Sequence, residues 1–289
     1  MLTNNYCEEI TNHSQKRVLL GVGVSATSHD ELLQTCRRWV DQKRRNSGEE
    51  QAHCICFLSV HSIMTAYHDH DIRSLLNRVD IAATDGMPLV WALRSFGVEN
   101  QQRVYGPDAM LKVCAQAAEL GHPIFLYGGT EESLLSLSRD LHARFPRLEI
   151  VGAIAPPFRQ LTKEEDERYI QQILTSGAEI VFVGIGMPKQ EQWMANHRSR
   201  LPGAVILAVG AAFDFHAGRT KQAPLWMQRA GLEWLFRLMI EPRRLWRRYL
   251  LINPPFLLLW TLQLIKLLRY PVPERAQQRA SGDHKEPSY

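Results

Sequence analysis

The stretch that decides the fold is VDIAATDGMPLVWALRSFGVENQQRVYGPD, residues 79–108. Its apolar beginning predicts a strand that ends near Asp85-Gly86, and a helical pattern follows over residues 87–96. A carboxylate beside a glycine at the end of a buried strand is typical of the edge where open α/β sheets place their chemistry. Asp85 is therefore a candidate catalytic residue. The alternative is that Asp85 only caps the following helix, with Pro88 in its first turn.

The alternation of strands and helices continues on both sides of this stretch. The predicted strands are residues 17–24, 53–60, 79–83, 123–127, 148–151, 179–185 and 204–209. The predicted helices are residues 31–45, 62–78, 87–96, 108–120, 131–145, one that starts at residue 162, and 191–200. Short apolar strands between longer helices indicate an α/β fold, with a parallel sheet and helices on both of its faces.

Length and composition set the expected domain plan. A chain of 289 residues with 45% hydrophobic residues can bury a full core, which excludes global disorder. We expect a loose lead-in over residues 1–16 and an α/β catalytic domain over residues 17–218. A basic, amphipathic helical appendage is expected over residues 219–270, and a polar, disordered tail over residues 271–289.

The appendage is expected to meet an anionic partner. Residues 219–275 contain eleven Lys/Arg and three Asp/Glu, whereas the whole chain has a formal charge of only +4. Such a basic excess favours phosphate, nucleic acid or anionic lipid. Trp is interleaved with Arg beside the apolar residues 250–268, which suits a membrane surface better than nucleic acid. Pro254-Pro255 interrupts that segment, so we predict that it lies in the interface; a spanning helix and a soluble dimer contact are the alternatives.

Cysteine usage and the N-terminus indicate a reducing compartment. The chain has five Cys, an odd number, and Cys54 and Cys56 are expected to point to opposite faces of their strand. We therefore predict buried structural thiols rather than a redox pair. Residues 1–15 are polar and lack the apolar core of a signal peptide, so a cytoplasmic location is expected.

Glycine-rich turns flank several predicted strands. Gly21-Val-Gly23 and Gly184-Ile-Gly186 both lack the third glycine of the dinucleotide fingerprint, so no cofactor is expected. Gly128-Gly129-Thr130 lies between a strand and a helix, where free N–H groups favour an anion or a ribose. A tight turn without any ligand explains this triplet equally well.

The motif VGIGMPKQE, residues 183–191, is more specific. It places Gly186, Lys189 and Gln190 at the carboxyl end of a strand, next to backbone without bulky side chains. The Gln190 amide both donates and accepts hydrogen bonds, which suits a uridine or a ribose. Glu191 also fits a plain first-turn residue of the next helix.

One acidic triplet, Asp69-His70-Asp71, is similar to the DxD motif of metal-dependent sugar transferases. It falls within or at the end of the helix predicted over residues 62–78, not on a loop at the end of a strand. We interpret it as a solvated helix face and expect no metal site.

Three arginines of the appendage, Arg237, Arg244 and Arg247, fall at positions i, i+7 and i+10. This spacing predicts that they share one face of a helix. Three guanidinium groups on one face suit a diphosphate, because each offers paired hydrogen bonds to its oxygens.

Five motifs, taken in order, resemble those of the WecG/TagA/CpsF glycosyltransferase family. They are Asp85-Gly86, Arg103-Val-Tyr-Gly-Pro-Asp108, Gly184-Ile-Gly-Met-Pro-Lys-Gln-Glu191, Phe213-Asp214-Phe215, and Glu233-Trp-Leu-Phe-Arg237 with Glu241-Pro-Arg-Arg244. The resemblance covers residues 58–249. It implies a Rossmann-like, mostly parallel sheet of the family's own type, and a C-terminal appendage that meets the membrane and helps to complete the site.

The resemblance also implies a reaction and its residues. A sugar moves from a nucleotide-sugar donor, usually UDP-linked, to a polyprenyl-diphosphate-linked sugar, with inversion at the anomeric carbon and without a DxD-bound metal. Asp85 matches the family's catalytic base. Further positions match its pocket and the appendage arginines expected to touch diphosphate: Arg103, Gln190 and Asp214 for the pocket, and Arg237, Arg244 and Arg247 for the appendage. The implied location is the cytoplasmic face of the cell membrane, as a peripheral protein.

One position departs from the family. Where its members commonly have Thr-x-Asn after the second strand, this chain has Ser59-Val60-His61. Ser59 keeps the hydroxyl, whereas His61 replaces an amide with an imidazole and alters the contacts to the sugar's substituent. The expected donor sugar is of the N-acetylmannosamine type, and UDP-glucose or another UDP-hexose for exopolysaccharide is the alternative.

Two other classes of protein are weighed against the enzyme. The first is a non-catalytic nucleotide-sugar-binding protein on the same fold, and the second is a nucleic-acid-binding module. The presence of Asp85 and of the arginine set favours the enzyme, and the adjacent apolar segment suits lipid better than a phosphate backbone. The sequence leaves self-association into a homo-oligomer open.

Overall fold

The computed structural model describes residues 16–45, 48 and 50–271, and these form eight strands and twelve α-helices. The strands are β1 (Lys16–Leu19), β2 (Val22–Ser25), β3 (His53–Leu58), β4 (Ile81–Thr84), β5 (Ile124–Gly128), β6 (Ile150–Ile154), β7 (Ile180–Gly184) and β8 (Val205–Ala208). The helices are α1 (His29–Arg44), α2 (Val60–His68), α3 (His70–Arg78), α4 (Met87–Ser95), α5 (Gly106–Leu120), α6 (Glu131–Arg144), α7 (Lys163–Thr175), α8 (Lys189–His197), α9 (Ala212–His216), α10 (Leu225–Arg229), α11 (Glu233–Ile240) and α12 (Pro242–Leu264).

Six strands form the main sheet in the order β4-β3-β8-β7-β5-β6. Every neighbouring pair in this sheet is parallel, which confirms the predicted sheet type. Its last strand, β8, pairs with its first, β3. In the usual dinucleotide-binding fold the fourth strand takes that place beside the first.

Helices cover both faces of the sheet, as predicted. Along β3, Cys54 and Cys56 belong to the core beneath α2, α3, α4, α7 and α8, whereas Ile55 belongs to the core beneath α1, α5, α6 and α9. The expectation that the two cysteines face opposite sides is wrong, because side chains alternate with a period of two and residues two apart share a face. Cys54 and Cys56 are buried free thiols, as expected.

The first predicted strand, residues 17–24, is instead a hairpin outside the main sheet. Strands β1 and β2 pair in antiparallel fashion and turn at Leu20-Gly21, with φ of 49° and 86°. Positive φ at both central residues matches the turn type whose twist suits two-residue hairpins. The turn was not predicted, because the apolar pattern of residues 17–24 continues through it.

The predicted helix of residues 62–78 is two helices, α2 and α3, separated by Asp69. The Asp69 side chain accepts hydrogen bonds from the backbone of Asp71 and Ile72, so it caps α3. The strand predicted at residues 148–151 also lies slightly later, as β6. The solvent exposure of the Asp69-His70-Asp71 triplet agrees with a helix-end role.

Only helices follow β8 in the described part of the chain, and α12 packs back onto the sheet domain. Leu245 and Phe256 are buried, and the Gln263 amide bonds the hairpin through Leu20 N (2.9 Å) and Val18 O (2.7 Å). Helix α12 continues through Pro254-Pro255, so the predicted interruption is wrong.

Within the residues that the structure describes, no helix is both long and apolar enough to cross a bilayer. The expected lead-in and tail lie outside the described residues, except for Lys16 in β1 and for Pro271.

Candidate active site

The sheet has a point where neighbouring strands send the chain to opposite faces. β3 leads into α2 on one face, and its neighbour β8 leads into α9 on the other. Such a divergence opens a crevice at the carboxyl ends of the strands, where ligands of open α/β sheets bind. A cavity of about 360 Å³ lies there, which falls in the size range of small-molecule sites.

Asp85 stands at the floor of this cavity, directly after β4. Its backbone N–H donates to Leu58 O at 2.9 Å, and its carboxylate Oδ1 accepts from Gly106 N at 2.8 Å. Gly106 is the first residue of α5, so the positive end of that helix dipole faces the carboxylate. The N-cap of α4 is Gly86, without a side-chain hydrogen bond, so the alternative that Asp85 merely caps α4 is wrong.

The protonation of Asp85 is tuned by its surroundings. Burial raises the pKa of this carboxyl to about 6, the Arg103 charge opposes that rise, and the Glu233 charge adds to it. The carboxyl is surrounded by protein yet reachable through the cavity, since the residue is partly accessible. A general base works best with a pKa near the operating pH, and a value of about 6 leaves Asp85 ionised at pH 7.

Arg103 is placed by a loop that the end of β4 holds. Val104 N donates to Thr84 O at 2.9 Å, and Gln101 Nε2 donates to Thr84 Oγ1 at 3.0 Å. The Arg103 guanidinium stacks on the Tyr105 ring, with Cζ 3.9 Å from its centroid. The loop thereby fixes Arg103 in the lining of the cavity.

The hydrogen bonds of Arg103 run to the backbone of Asp85 and to the C-terminal helices. Nε donates to the carbonyl oxygen of Asp85, Nη1 to Gln228 Oε1 at 3.3 Å, and Nη2 to Glu233 Oε2. Tyr105 Oη donates to the other Glu233 oxygen at 3.1 Å. α11 is therefore joined to the sheet domain at the cavity itself.

Gln190 and Glu191 form a second polar wall at the start of α8. They are 5% and 3% exposed, and Gln190 Nε2 donates to Glu191 Oε1 at 3.1 Å. Gln190 Oε1 and Glu191 Oε2 have no hydrogen-bond partner among the described residues. Burial raises the pKa of the Glu191 carboxyl. Glu191 lies in the first turn of α8, as the alternative expects. Unpaired buried acceptors are costly and rare, so these two oxygens are candidates for contact with a ligand.

Arg237 brings a positive charge to the cavity from α11. Its Cζ lies 5.9 Å from the Phe215 ring centroid, and its buried Nε has no hydrogen-bond partner in the described part of the chain. No carboxylate among the described residues forms an ion pair with Arg237. This guanidinium can therefore receive an anionic ligand.

The structure brings most of the sequence-predicted site residues together. Seven of them line the cavity: Ser59, His61, Asp85, Arg103, Gly186, Gln190 and Arg237. Five others lie outside its lining: Gly128, Gly129, Lys189, Asp214 and Arg247. The side chain of Arg244 lies outside what the structure describes. The roles of all these residues in binding or catalysis stay predictions.

Packing explains Gly128, the last residue of β5. Gly128 has φ of 137°, and a Cβ there would stand 2.5 Å from the carbonyl oxygen of Gly184. Gly129 N donates to the same oxygen at 3.2 Å. Close approach between the ends of β5 and β7 thus requires Gly128, whatever ligand binds nearby.

The three appendage arginines do not share one helix, so that prediction is wrong. α11 ends at Ile240 and α12 begins at Pro242, with Glu241 at φ −127° and ψ 59° between them. Arg237 lies on the first helix and faces the cavity, whereas Arg247 lies on the second and is exposed.

Several residues that line the cavity were not predicted as site residues. They are Tyr105, Gln228, Glu233, Trp234, Tyr249 and Asn253. Glu233 meets Arg103 across 130 residues of chain, and no local pattern reports such a contact. Among the described residues, no cluster of three or more potential metal ligands occurs.

The comparison with protein families gives one finding. The family model described as Glycosyl transferase WecG/TagA/CpsF family matches residues 17–270. The match therefore runs from the hairpin through the main sheet to the end of the C-terminal helices, and it contains every residue that lines the cavity. The chain belongs to the WecG/TagA/CpsF family of glycosyltransferases, and its general role is glycosyl transfer.

Proposed function

We propose that this glycosyltransferase moves a sugar of the N-acetylmannosamine type from a UDP-sugar to a polyprenyl-diphosphate-linked saccharide, with inversion, in the synthesis of a cell-surface polysaccharide. One observation carries the proposal. A single cavity at the sheet edge holds a carboxylate of near-neutral pKa, Asp85, and an arginine without a carboxylate partner, Arg237. A base and an anion receptor are the two groups that this transfer requires.

The chemistry follows from these groups. Gly106 N holds Asp85 Oδ1, so Oδ2 is the oxygen that takes the proton of the acceptor hydroxyl. As that proton leaves, the hydroxyl oxygen bonds to the anomeric carbon of the donor, and the bond from this carbon to the UDP oxygen breaks. The departing UDP gathers negative charge on its diphosphate, which the Arg237 guanidinium stabilises. A diphosphate leaves as an anion, so the reaction needs no separate acid.

A lipid-linked acceptor requires that the cavity lie close to a membrane, and the surface of the C-terminal helices supports this. Large apolar side chains are exposed on α10, α11 and α12: Leu225, Trp226, Met239, Ile240, Trp246, Leu250, Leu251, Leu257 and Leu258. Arg243 and Arg247 are exposed on the same segment. Exposed apolar surface with neighbouring basic residues is typical of a protein that lies on an anionic bilayer. The proposed location is the cytoplasmic face of the cell membrane.

A panel of UDP-sugars with a polyprenyl-diphosphate-sugar acceptor, read by product mass, tests the reaction. Asp85→Asn should lower turnover by about 100-fold or more, the typical contribution of a general base, while the protein stays folded. Asp71→Asn, on an exposed helix surface, is the matched control and should keep full turnover. Near-wild-type turnover of Asp85→Asn would rule out the base assignment.

The same panel separates two alternatives. Transfer from UDP-glucose in place of the N-acetylated donor would support an exopolysaccharide hexosyltransferase. This candidate is considered because His61 lies in the cavity wall where the family commonly has an amide. Binding of a UDP-sugar without transfer to any acceptor would support a non-catalytic nucleotide-sugar-binding protein.

A further inference from the structure

Arg103 lies beside the proposed base but does not bond its carboxylate. Its three side-chain hydrogen bonds go to the Asp85 carbonyl oxygen, to Gln228 Oε1 and to Glu233 Oε2. The Asp85 carboxylate instead accepts from the Gly106 backbone. Arg103 therefore lies close enough to act on Asp85 by its charge, but it makes no hydrogen bond to the Asp85 carboxylate.

This arrangement depends on Glu233. Its two carboxylate oxygens accept from Arg103 and from Tyr105, and both members of the Arg103–Glu233 ion pair are largely buried, with 15% and 18% of the side chains exposed. A guanidinium that loses such a partner seeks another carboxylate, because a buried unpaired charge is costly. Asp85 is adjacent, so the released Arg103 would pair with it.

We propose that Glu233 is a positioning residue, which holds the Arg103 guanidinium away from the Asp85 carboxylate and so leaves that carboxylate free to accept a proton. The inference rests on the proposed function, since it gives Glu233 a part in the transfer that Asp85 performs. Glu233 belongs to α11, beyond the last strand of the sheet. The base is thus in its free form only when the C-terminal helices are docked at the cavity.

Other charged groups also face Asp85. They come from the loop before α5 (Arg103) and from α11 (Glu233 and Arg237), and two titratable groups, His61 of α2 and Tyr105, line the same cavity. Removal of Glu233 should lower the pKa of Asp85 in two ways. It deletes an anion that raises the pKa of Asp85, and it releases a cation that lowers this pKa.

The test is the pH dependence of kcat/KM for transfer, which reports the pKa of the base in the free enzyme. Wild type should show an acid limb near pH 6. Glu233→Gln should move that limb down by about 1 to 3 units, the effect of an arginine paired with an aspartate, and should lower the plateau rate. Tyr105→Phe loosens Glu233 without a change of charge, so its limb should stay in place. Glu119→Gln, on the exposed side of α5, should match wild type.

A double variant tests whether the shift depends on Arg103. In Arg103→Gln no guanidinium is left to release, so a further Glu233→Gln change should shift the limb by much less than it does in wild type. A Glu233→Gln limb at the wild-type position, whatever its rate, would overturn the inference, because a purely structural loss lowers the rate without moving the limb. Wild type that transfers sugar from no donor would instead overturn the proposed function.

Discussion

The ionised carboxylate of Asp85 should lower the free energy of unfolding of the protein. Its folded pKa of about 6 lies above the ordinary value of 3.8, because burial disfavours the ionised form. The sign follows from proton linkage. The protonated carboxyl contributes stability that is fully present below about pH 4 and is lost as the pH rises through about 6. We expect Asp85→Asn, which keeps the Oδ1 acceptor for Gly106, to raise the free energy of unfolding at pH 8 by about 1 to 3 kcal/mol.

Denaturant unfolding of both proteins at pH 8, 6 and 4.5 checks this prediction. The advantage of Asp85→Asn should shrink as the pH falls toward 4.5, where wild-type Asp85 is already protonated. Asp71→Asn, on the exposed start of α3, should show no such dependence. Equal stability of Asp85→Asn and wild type at pH 8 would contradict the raised pKa.

Local motifs predicted that some residues belong to the site, but they did not predict the contacts between residues distant in sequence. Asp85 was found from the end of a strand beside a glycine, a local pattern, and the structure places it at the cavity floor. Glu191 and Glu233 stand inside motifs of the family resemblance, but the local sequence did not indicate what their side chains contact. The contacts that matter for them, with Arg103 and with the buried amide of Gln190, depend on how α11 and α8 close over the sheet.

Substitution of Gly128 tests how closely the ends of β5 and β7 pack. An alanine there would combine φ of 137° with a Cβ 2.5 Å from the Gly184 carbonyl oxygen, so the two strands would have to separate. We expect Gly128→Ala to lower the free energy of unfolding by about 3 kcal/mol or more. Thermal or denaturant unfolding measures this, and UDP binding below the transition reports any direct role of Gly128 in the site.

Gly177→Ala is the matched control for this change. Gly177 has φ of 74°, but no neighbouring atom lies within 4 Å of the position that an added methyl group would take, so only backbone strain of about 1 kcal/mol is expected. A loss for Gly128→Ala no larger than that for Gly177→Ala would show that packing does not explain the glycine.

The spacing of apolar residues predicted the strands and helices of the sheet. It failed at one turn that lacks the usual turn residues and at one helix that continues through residues that usually break it. Leu20-Gly21 reverses the chain inside an unbroken apolar run, with a leucine at φ of 49° where Asn or Gly is usual. Pro254-Pro255 has the opposite effect, since a break was expected and α12 continues. Packing overrides local preference there, because Phe256 and Leu245 fix α12 against the sheet domain.

At the scale of the molecule, α12 joins three parts of the structure. Tyr249, Ile252 and Asn253 contribute to the cavity wall, and Gln263 binds the N-terminal hairpin. Its opposite side exposes leucines to the surroundings. One helix therefore connects the proposed membrane surface to the site, so an acceptor held at the bilayer would meet the cavity beside it.

Substitutions on the exposed side of α12 test that surface. Leu251 and Leu258 are 64% and 61% exposed, and their spacing of two helical turns places them on one face. Insertion of a leucine into the apolar part of a membrane contributes about 1.5 to 3 kcal/mol, so Leu251→Glu or Leu258→Glu should weaken partitioning onto anionic liposomes about 10-fold or more. Leu135→Glu, at a position equally exposed at 61% but on α6, is the matched control and should partition like wild type. Co-sedimentation measures all four proteins, and equal binding would place the membrane contact elsewhere. Transfer to a water-soluble acceptor analogue should be the same in all four, because none of these leucines lines the cavity.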